Sequence, residues 1–172
     1  MKNLLFSVIF IVLTVSITTA QEVNKKVWDS DLEENILTGL CNRNGLNTGE
    51  FGKYFKEEYN SYNPDEKVIT KLRDKFDTIK NCKITVIFGE WCSDSQREVP
   101  RFFKIIDKCD FNEDNIKIYA VNRKKEGVTV DISKYGIDFV PTFIVFVDGK
   151  EKGRIIETPE NTLEEDLLKI LE

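Results

Sequence analysis

Cys92 is the side chain of this sequence best placed to do chemistry. It sits in Gly89-Glu90-Trp91-Cys92-Ser93-Asp94-Ser95, after a short apolar, β-branched run and before a stretch with helical spacing. A thiol where a strand ends and a helix begins meets the free N–H groups and the positive end of the helix dipole, which favour the thiolate. The thiolate is the form that attacks disulfides. Asp94 opposes this effect by placing a carboxylate nearby, while Ser95 can offer the sulfur a hydroxyl hydrogen bond. A modest net lowering of the thiol's pKa is expected. Glu90 is a second charge that would modulate the site, and Trp91 would wall a groove beside the sulfur. The spacing is Cys-x-x-Ser, so the position of a resolving thiol holds Ser95. Ser95 also suits a helix start for its own sake, and Glu90 and Asp94 also fit simple solvated charges.

The other thiols do not supply the missing partner. A helix from Ser93 to Lys108 would carry Cys109 about 25 Å from Cys92 at 1.5 Å per residue. Cys82 lies at the far end of the preceding strand, about 25–30 Å away along the chain. The strand runs up and the helix runs down, so Cys82 and Cys109 are expected as neighbours opposite the site. They are candidates for a structural disulfide if their Cα atoms lie within about 7 Å; the alternative is two separate buried thiols. Cys41, at the end of an expected amphipathic helix, reads as a core residue, with a free thiol or an unexpected resolver as alternatives. The chain has no histidine. That excludes Ser-His-Asp and Cys-His catalysis and His-ligated metals, and the cysteine spacings do not make a zinc site. No metal and no cofactor is expected.

Several elements must position Cys92. Ser30-Asp31-Leu32-Glu33 has the form of a capping box, with Leu32, Ile36 and Leu40 on one helical face. Thr48 can cap a second helix bearing Phe51, Phe55, Tyr59 and Tyr62. Asn63-Pro64 opens a third, with Ile69, Leu72, Phe76 and Ile79 inward. Residues 21–63 therefore read as a helical extension. The pattern then changes. Lys83–Gly89 and Asn115–Asn122 read as buried strands, joined by the Ser93–Lys108 helix into a right-handed βαβ unit. The run Asn122–Gly127 reads as a solvated loop, and Ser133–Ile137 as one helical turn. Thr142–Glu157 forms two strands around Asp148-Gly149, a hairpin signal. Thr162 and Glu165 then open a last helix. The fold class is α/β, with a central mixed sheet flanked by helices.

The first twenty residues carry Lys2, an apolar run from Leu4 to Val15, and Thr18-Thr19-Ala20 before Gln21. This is the pattern of a secretory signal peptide. The run is short for a bilayer span of about 20 residues; an uncleaved anchor is the alternative. No stable membrane span is expected after cleavage, and the remaining chain is long enough for one domain with a real core. The net charge is −5, and loss of Lys2 makes it one unit more negative. That balance argues against nucleic acid as a partner.

The residues from Phe88 onward resemble the thioredoxin family. The resemblance rests on Phe-Gly-Glu-Trp-Cys-Ser-Asp-Ser after a strand, on Pro100 eight residues beyond Cys92, on Tyr-Gly-Ile-Asp-Phe-Val-Pro-Thr with Pro141, and on the hairpin with its closing helix. It covers residues 64–172. It implies a thioredoxin-like fold, a kink at Pro100, and a cis Val140–Pro141 peptide facing the cysteine. The Val140 backbone would then pair with a substrate peptide. Trp91, Val140 and Pro141 are thus the implied substrate-binding residues, with Cys92 and Ser95 as the catalytic pair. The sequence departs from the family in two places. Ser95 replaces the resolving cysteine, and Val86 stands where many members have a buried aspartate. Small exported relatives in Gram-negative bacteria look similar, which implies a periplasmic or extracellular setting. Three functions remain open. One is monothiol exchange with protein or small-molecule thiols and disulfides, in which an external thiol releases the product. Another is a redox-inactive peptide-binding or chaperone-like module. The third is a scaffold whose extension docks a partner. Oligomeric state is not readable from the sequence.

Overall fold

In the computed structural model the described residues are 22–172. The expected leader, residues 1–20, lies outside them. The sheet has six strands: β1 (Lys25–Asp29), β2 (Glu34–Cys41), β3 (Cys82–Phe88), β4 (Ile116–Ala120), β5 (Thr142–Val147) and β6 (Lys150–Ile156). Their spatial order is β1-β2-β4-β3-β5-β6. Only β3 and β4 run parallel; every other neighbouring pair is antiparallel. The helices are α1 (Arg43–Leu46), α2 (Gly49–Ser61), α3 (Glu66–Thr78), α4 (Ser93–Lys108) and α5 (Leu163–Leu171).

The strand–helix–strand unit matches the sequence pattern. β3 and β4 pair in register from Ile84 opposite Ile116 to Phe88 opposite Ala120, so both strands end at the same edge of the sheet. α4 returns between them, as a parallel pair requires. The β5–β6 connection is Asp148-Gly149 with φ of +50° and +78°. Two successive left-handed residues give a turn whose twist suits a hairpin, and Gly149 takes that conformation without strain. Asp65 caps α3 by accepting from Lys67 N and Val68 N, so the helix begins at Glu66, two residues beyond the Pro64 start that the sequence predicts. Thr162 caps α5 through Glu165 N.

The amino-terminal segment corrects the sequence reading. Residues 25–41 are not a helix but a β-hairpin, and 30–33 form its turn. Asp29 Oδ1 accepts from Asp31 N and Leu32 N at 2.9 and 3.1 Å, which closes the chain back on itself. A polar cluster of Ser, Asp and Glu suits a turn as well as a helix start. What separates the two is the partner: Gly39, Leu40 and Cys41 pair with Ala120, Tyr119 and Ile118 of β4. A helical extension could not have joined that edge. The segment is therefore part of the domain rather than an appendage.

Two clusters hold the sheet. The larger joins Val86, Phe88 and Phe143 to side chains of α2 to α5, including Phe55, Leu72, Phe102, Phe103 and Leu167. The smaller lies across Ile87, Tyr119 and Ile144, and is covered by Val121, Ile132 and Val140 from the segment between β4 and β5. That segment holds only a single 3₁₀ turn, Ser133–Tyr135. Phe88 and Ile87 alternate between the clusters because successive strand side chains point to opposite faces.

Candidate functional site

Cys92 is the N-cap of α4, with extended backbone (φ −95°, ψ 124°). Its N–H donates to the Gly89 carbonyl at 3.0 Å, and its carbonyl accepts from Gln96 N at 2.9 Å. The loop Gly89–Trp91 is thereby pulled into a turn that delivers the sulfur to the helix start. Cys92 is half-buried, whereas Cys41, Cys82 and Cys109 are buried. The sulfur donates to the Val140 carbonyl at 3.2 Å. The Val140–Pro141 peptide is cis, and both of its residues are buried. Trp91, Cys92, Val140 and Pro141 thus meet at one end of the sheet, beyond the carboxyl ends of β3 and β4.

Trp91 is fixed rather than free. Its Nε1 donates to the Val121 carbonyl at 2.9 Å, and its ring lies over Gly89. A Cβ at position 89 would come within 2.5 Å of the indole, so only glycine permits this packing. The Arg123 guanidinium and the Lys125 ammonium lie 5.7 and 5.9 Å from the ring centroid.

Ser95 is fully buried, and its Oγ accepts from Gly89 N at 3.2 Å. The expected hydroxyl bond to the Cys92 sulfur is not formed among the described residues. Gly89 follows the last ladder residue of β3, so its N–H needs a partner inside the fold, and Ser95 supplies it. Asp94 is tied to Arg97 Nη2 at 2.8 Å, and Arg97 Nε reaches the buried Glu98 at 2.6 Å. A guanidinium thus faces the carboxylate that flanks the thiol and offsets its charge. Glu90 does not face the sulfur's hydrogen-bond partner at all. Its Oε2 accepts from Leu37 N of β2 at 3.1 Å. Burial pushes its carboxyl up, against the lowering by the Leu37 N–H and Lys26.

The far end of the domain corrects a second expectation. Cys82 opens β3 and Cys109 caps the end of α4, as the chain direction requires, but both are free thiols. The expected structural disulfide is not formed. The Cys109 sulfur is instead directed at the Ile69 carbonyl at 3.8 Å. Burial pushes the Cys109 and Cys41 thiols up to about 12 and the Cys82 thiol up to about 11. These three belong to the larger core cluster, and none reaches Cys92 as a hydrogen-bond partner. Among the described residues no cluster of His, Cys, Asp or Glu could hold a metal ion. No described helix is long and apolar enough to cross a membrane.

Arg123, Lys125 and Val121 were missed by sequence reasoning as site residues. A signal existed. Strands of a parallel pair end together, and loops at that edge form the binding crevice of α/β sheets. The loop after β4 therefore had to lie beside the loop after β3.

The family model described as Thioredoxin matches residues 67–169. No curated protein matches the chain. Among solved structures, a protein of unknown function from Pseudomonas aeruginosa is 14% identical, with 70% of this chain and 80% of that one covered and a TM-score of 0.45. Mitochondrial thioredoxin 3 from Saccharomyces cerevisiae is 17% identical, covering 51% and 76%, with a TM-score of 0.33. Thioredoxin O2 from Arabidopsis thaliana is 21% identical, covering 52% and 71%, also at 0.33.

Proposed function

The chain belongs to the thioredoxin family, whose chemistry is thiol–disulfide exchange, and from that premise we propose that it carries out such exchange with a single thiol, Cys92. The carrying observation is the position of the residue: Cys92 is the half-buried N-cap of α4, and its sulfur lies 3.2 Å from the Val140 carbonyl. The thiolate of such a residue is the form that attacks disulfides.

In the first step the Cys92 thiolate attacks one sulfur of a disulfide R–S–S–R′. A Cys92–S–S–R bond forms, the S–S bond to R′ breaks, and R′S⁻ leaves and takes up a proton from water. Position 95 then offers no second thiol, and the Ser95 hydroxyl is already turned to Gly89 N. An external thiolate must therefore attack the R sulfur and release Cys92 as thiolate, with R in a new disulfide. Electrons balance within each exchange, and no cofactor takes part. While the mixed disulfide exists, the surface beside Cys92 and Trp91 would hold the substrate chain. Export of the protein, suggested by the pattern of residues 1–20, would place this chemistry where disulfides persist.

Trapping tests the proposal. Cys92 should form a mixed disulfide with a model disulfide such as oxidised glutathione, and added thiol should release it; Cys92→Ala should do neither. Insulin reduction with dithiothreitol should be weak and should rise in Ser95→Cys. Absence of any mixed disulfide at Cys92 across pH 6–10 would leave a binding module as the better account. That second reading is favoured by one observation, the Trp91 indole held next to Cys92 by the Val121 carbonyl, which needs no redox step to hold a chain.

A further inference from the structure

Arg123, Lys124 and Lys125 follow one another in a chain whose net charge is −5. The structure shows that they are not on a loose loop. Asn122 staples their turn: its Oδ1 accepts from Lys124 N at 2.9 Å and Glu126 N at 3.0 Å, and its Nδ2 donates to Glu126 Oε2 at 3.1 Å. Lys125 N bonds back to the Asn122 carbonyl. The turn begins one residue after Val121, whose carbonyl fixes Trp91. Arg123 and Lys125 both lie within 6 Å of that indole, and the next residue is Cys92. Two positive charges, Arg123 and Lys125, are thus held at the rim of the site, and Lys124 on the same turn lines the neighbouring cleft beside Trp28.

Their charge is not spent within the protein. Among the described residues no ion pair involves any of the three, while other cations near the site are engaged, Arg97 with Asp94 and Glu98. No facing carboxylate pairs with them among the described residues. Asp29 and Asp31 line a cleft of about 150 Å³ with Arg123 and Lys124, but Asp29 Oδ1 is used by its own turn. Glu126 accepts from Asn122. Exposed apolar side chains lie on the two flanking segments, Val128 at 56% and Phe139 at 53% exposure.

We propose that the Arg123–Lys125 turn is a carboxylate-selecting rim of the Cys92 site, and that the occupant it fits is an extended acidic peptide segment flanking a disulfide. The inference rests on the reading of the Cys92 groove as a binding site, but it does not need exchange to occur. Charge complementarity of this kind sets encounter rate and partner choice. Exposed pairings are individually weak, so three together should give about a tenfold preference at low salt.

The test separates binding from exchange. Two fluorescent peptides of one disulfide-free sequence, carrying Glu or Lys at the same positions, are titrated against the wild-type protein by anisotropy. The Glu peptide should bind about tenfold more tightly, and the difference should shrink as salt rises. In the Arg123→Gln/Lys124→Gln/Lys125→Gln variant it should fall to within about twofold, while the circular dichroism spectrum and the melting temperature stay close to those of wild type. Equal binding of the two peptides to wild type, or a preference insensitive to salt, overturns the inference, and neither reading depends on the variant folding. A Glu preference that survives the triple substitution overturns it as well. If the preference follows the turn but no mixed disulfide forms, the rim stands and the exchange reading alone fails.

Discussion

Glu90 shows how a residue chosen as a modulating charge serves a different purpose. Its carboxylate accepts the Leu37 N–H of β2, which lies beyond the β2–β4 ladder that ends at Gly39 opposite Ala120. An unpaired N–H at that depth would cost about 1–3 kcal/mol, so the side chain completes the sheet next to the site. Burial raises its carboxyl above the ordinary value of about 4.3. The folded state therefore holds the proton to a higher pH than the unfolded chain does. The resulting contribution to stability is full below the ordinary value and is lost as pH rises through the raised one. Glu90→Gln keeps an oxygen for Leu37 N–H and removes the titration. Urea denaturation from pH 4 to 8 should show wild type losing stability relative to Glu90→Gln over that window; parallel profiles would contradict the assignment. The same scale explains Ser95. The type and position of the residue were legible, but its direction was not, because a hydroxyl close to both a sulfur and a strand end goes to the donor that has no other partner.

At the scale of elements, the surprise is how deeply the amino-terminal third is built in. α2 packs Phe55 against Phe103 of α4, with ring centroids 5.8 Å apart. Asp107 of α4 receives Arg43 at 2.8 Å through both carboxylate oxygens, and Tyr59 also donates to it. Burial alone would raise the Asp107 carboxyl, but these donors overcome it and hold it below the ordinary range. Phe55→Ala should therefore cost about 3–5 kcal/mol, the scale of emptying an aromatic site in a core. A loss below about 1 kcal/mol in denaturant melts would mean that α2 is a loosely attached appendage. Helices α2 to α5 and strands β3 to β6 were readable because each has its own periodicity and end signals. The β1–β2 hairpin was not. Leu32, Ile36 and Leu40 fit a helical period by chance of spacing, while β2 pairs on one edge with β1 and at its end with β4, nearly eighty residues away.

For the whole molecule, the four thiols divide into one accessible group and three core groups. Native protein should react quickly with a thiol reagent at Cys92 alone, and all four cysteines should react in denaturant without prior reduction. Only two thiols in denaturant, recovered to four after reduction, would show that Cys82 and Cys109 are bridged after all. Direction along the chain was enough to send both to the end opposite Cys92, since a strand and its return helix reverse each other. Direction could not tell whether the two side chains point at one another, and in the structure Cys109 points to the Ile69 carbonyl instead. The sequence by itself determined the α/β order, the family and the placement of one thiol at a helix start, because these depend on local periodicity and on motifs within a few residues. Tertiary structure decided the rest: which edge the first strands join, where Ser95 and Glu90 spend their hydrogen bonds, and which loop faces Trp91. Those outcomes depend on groups far apart in the chain competing for the same buried partners, and that competition is settled only once the sheet has closed around them.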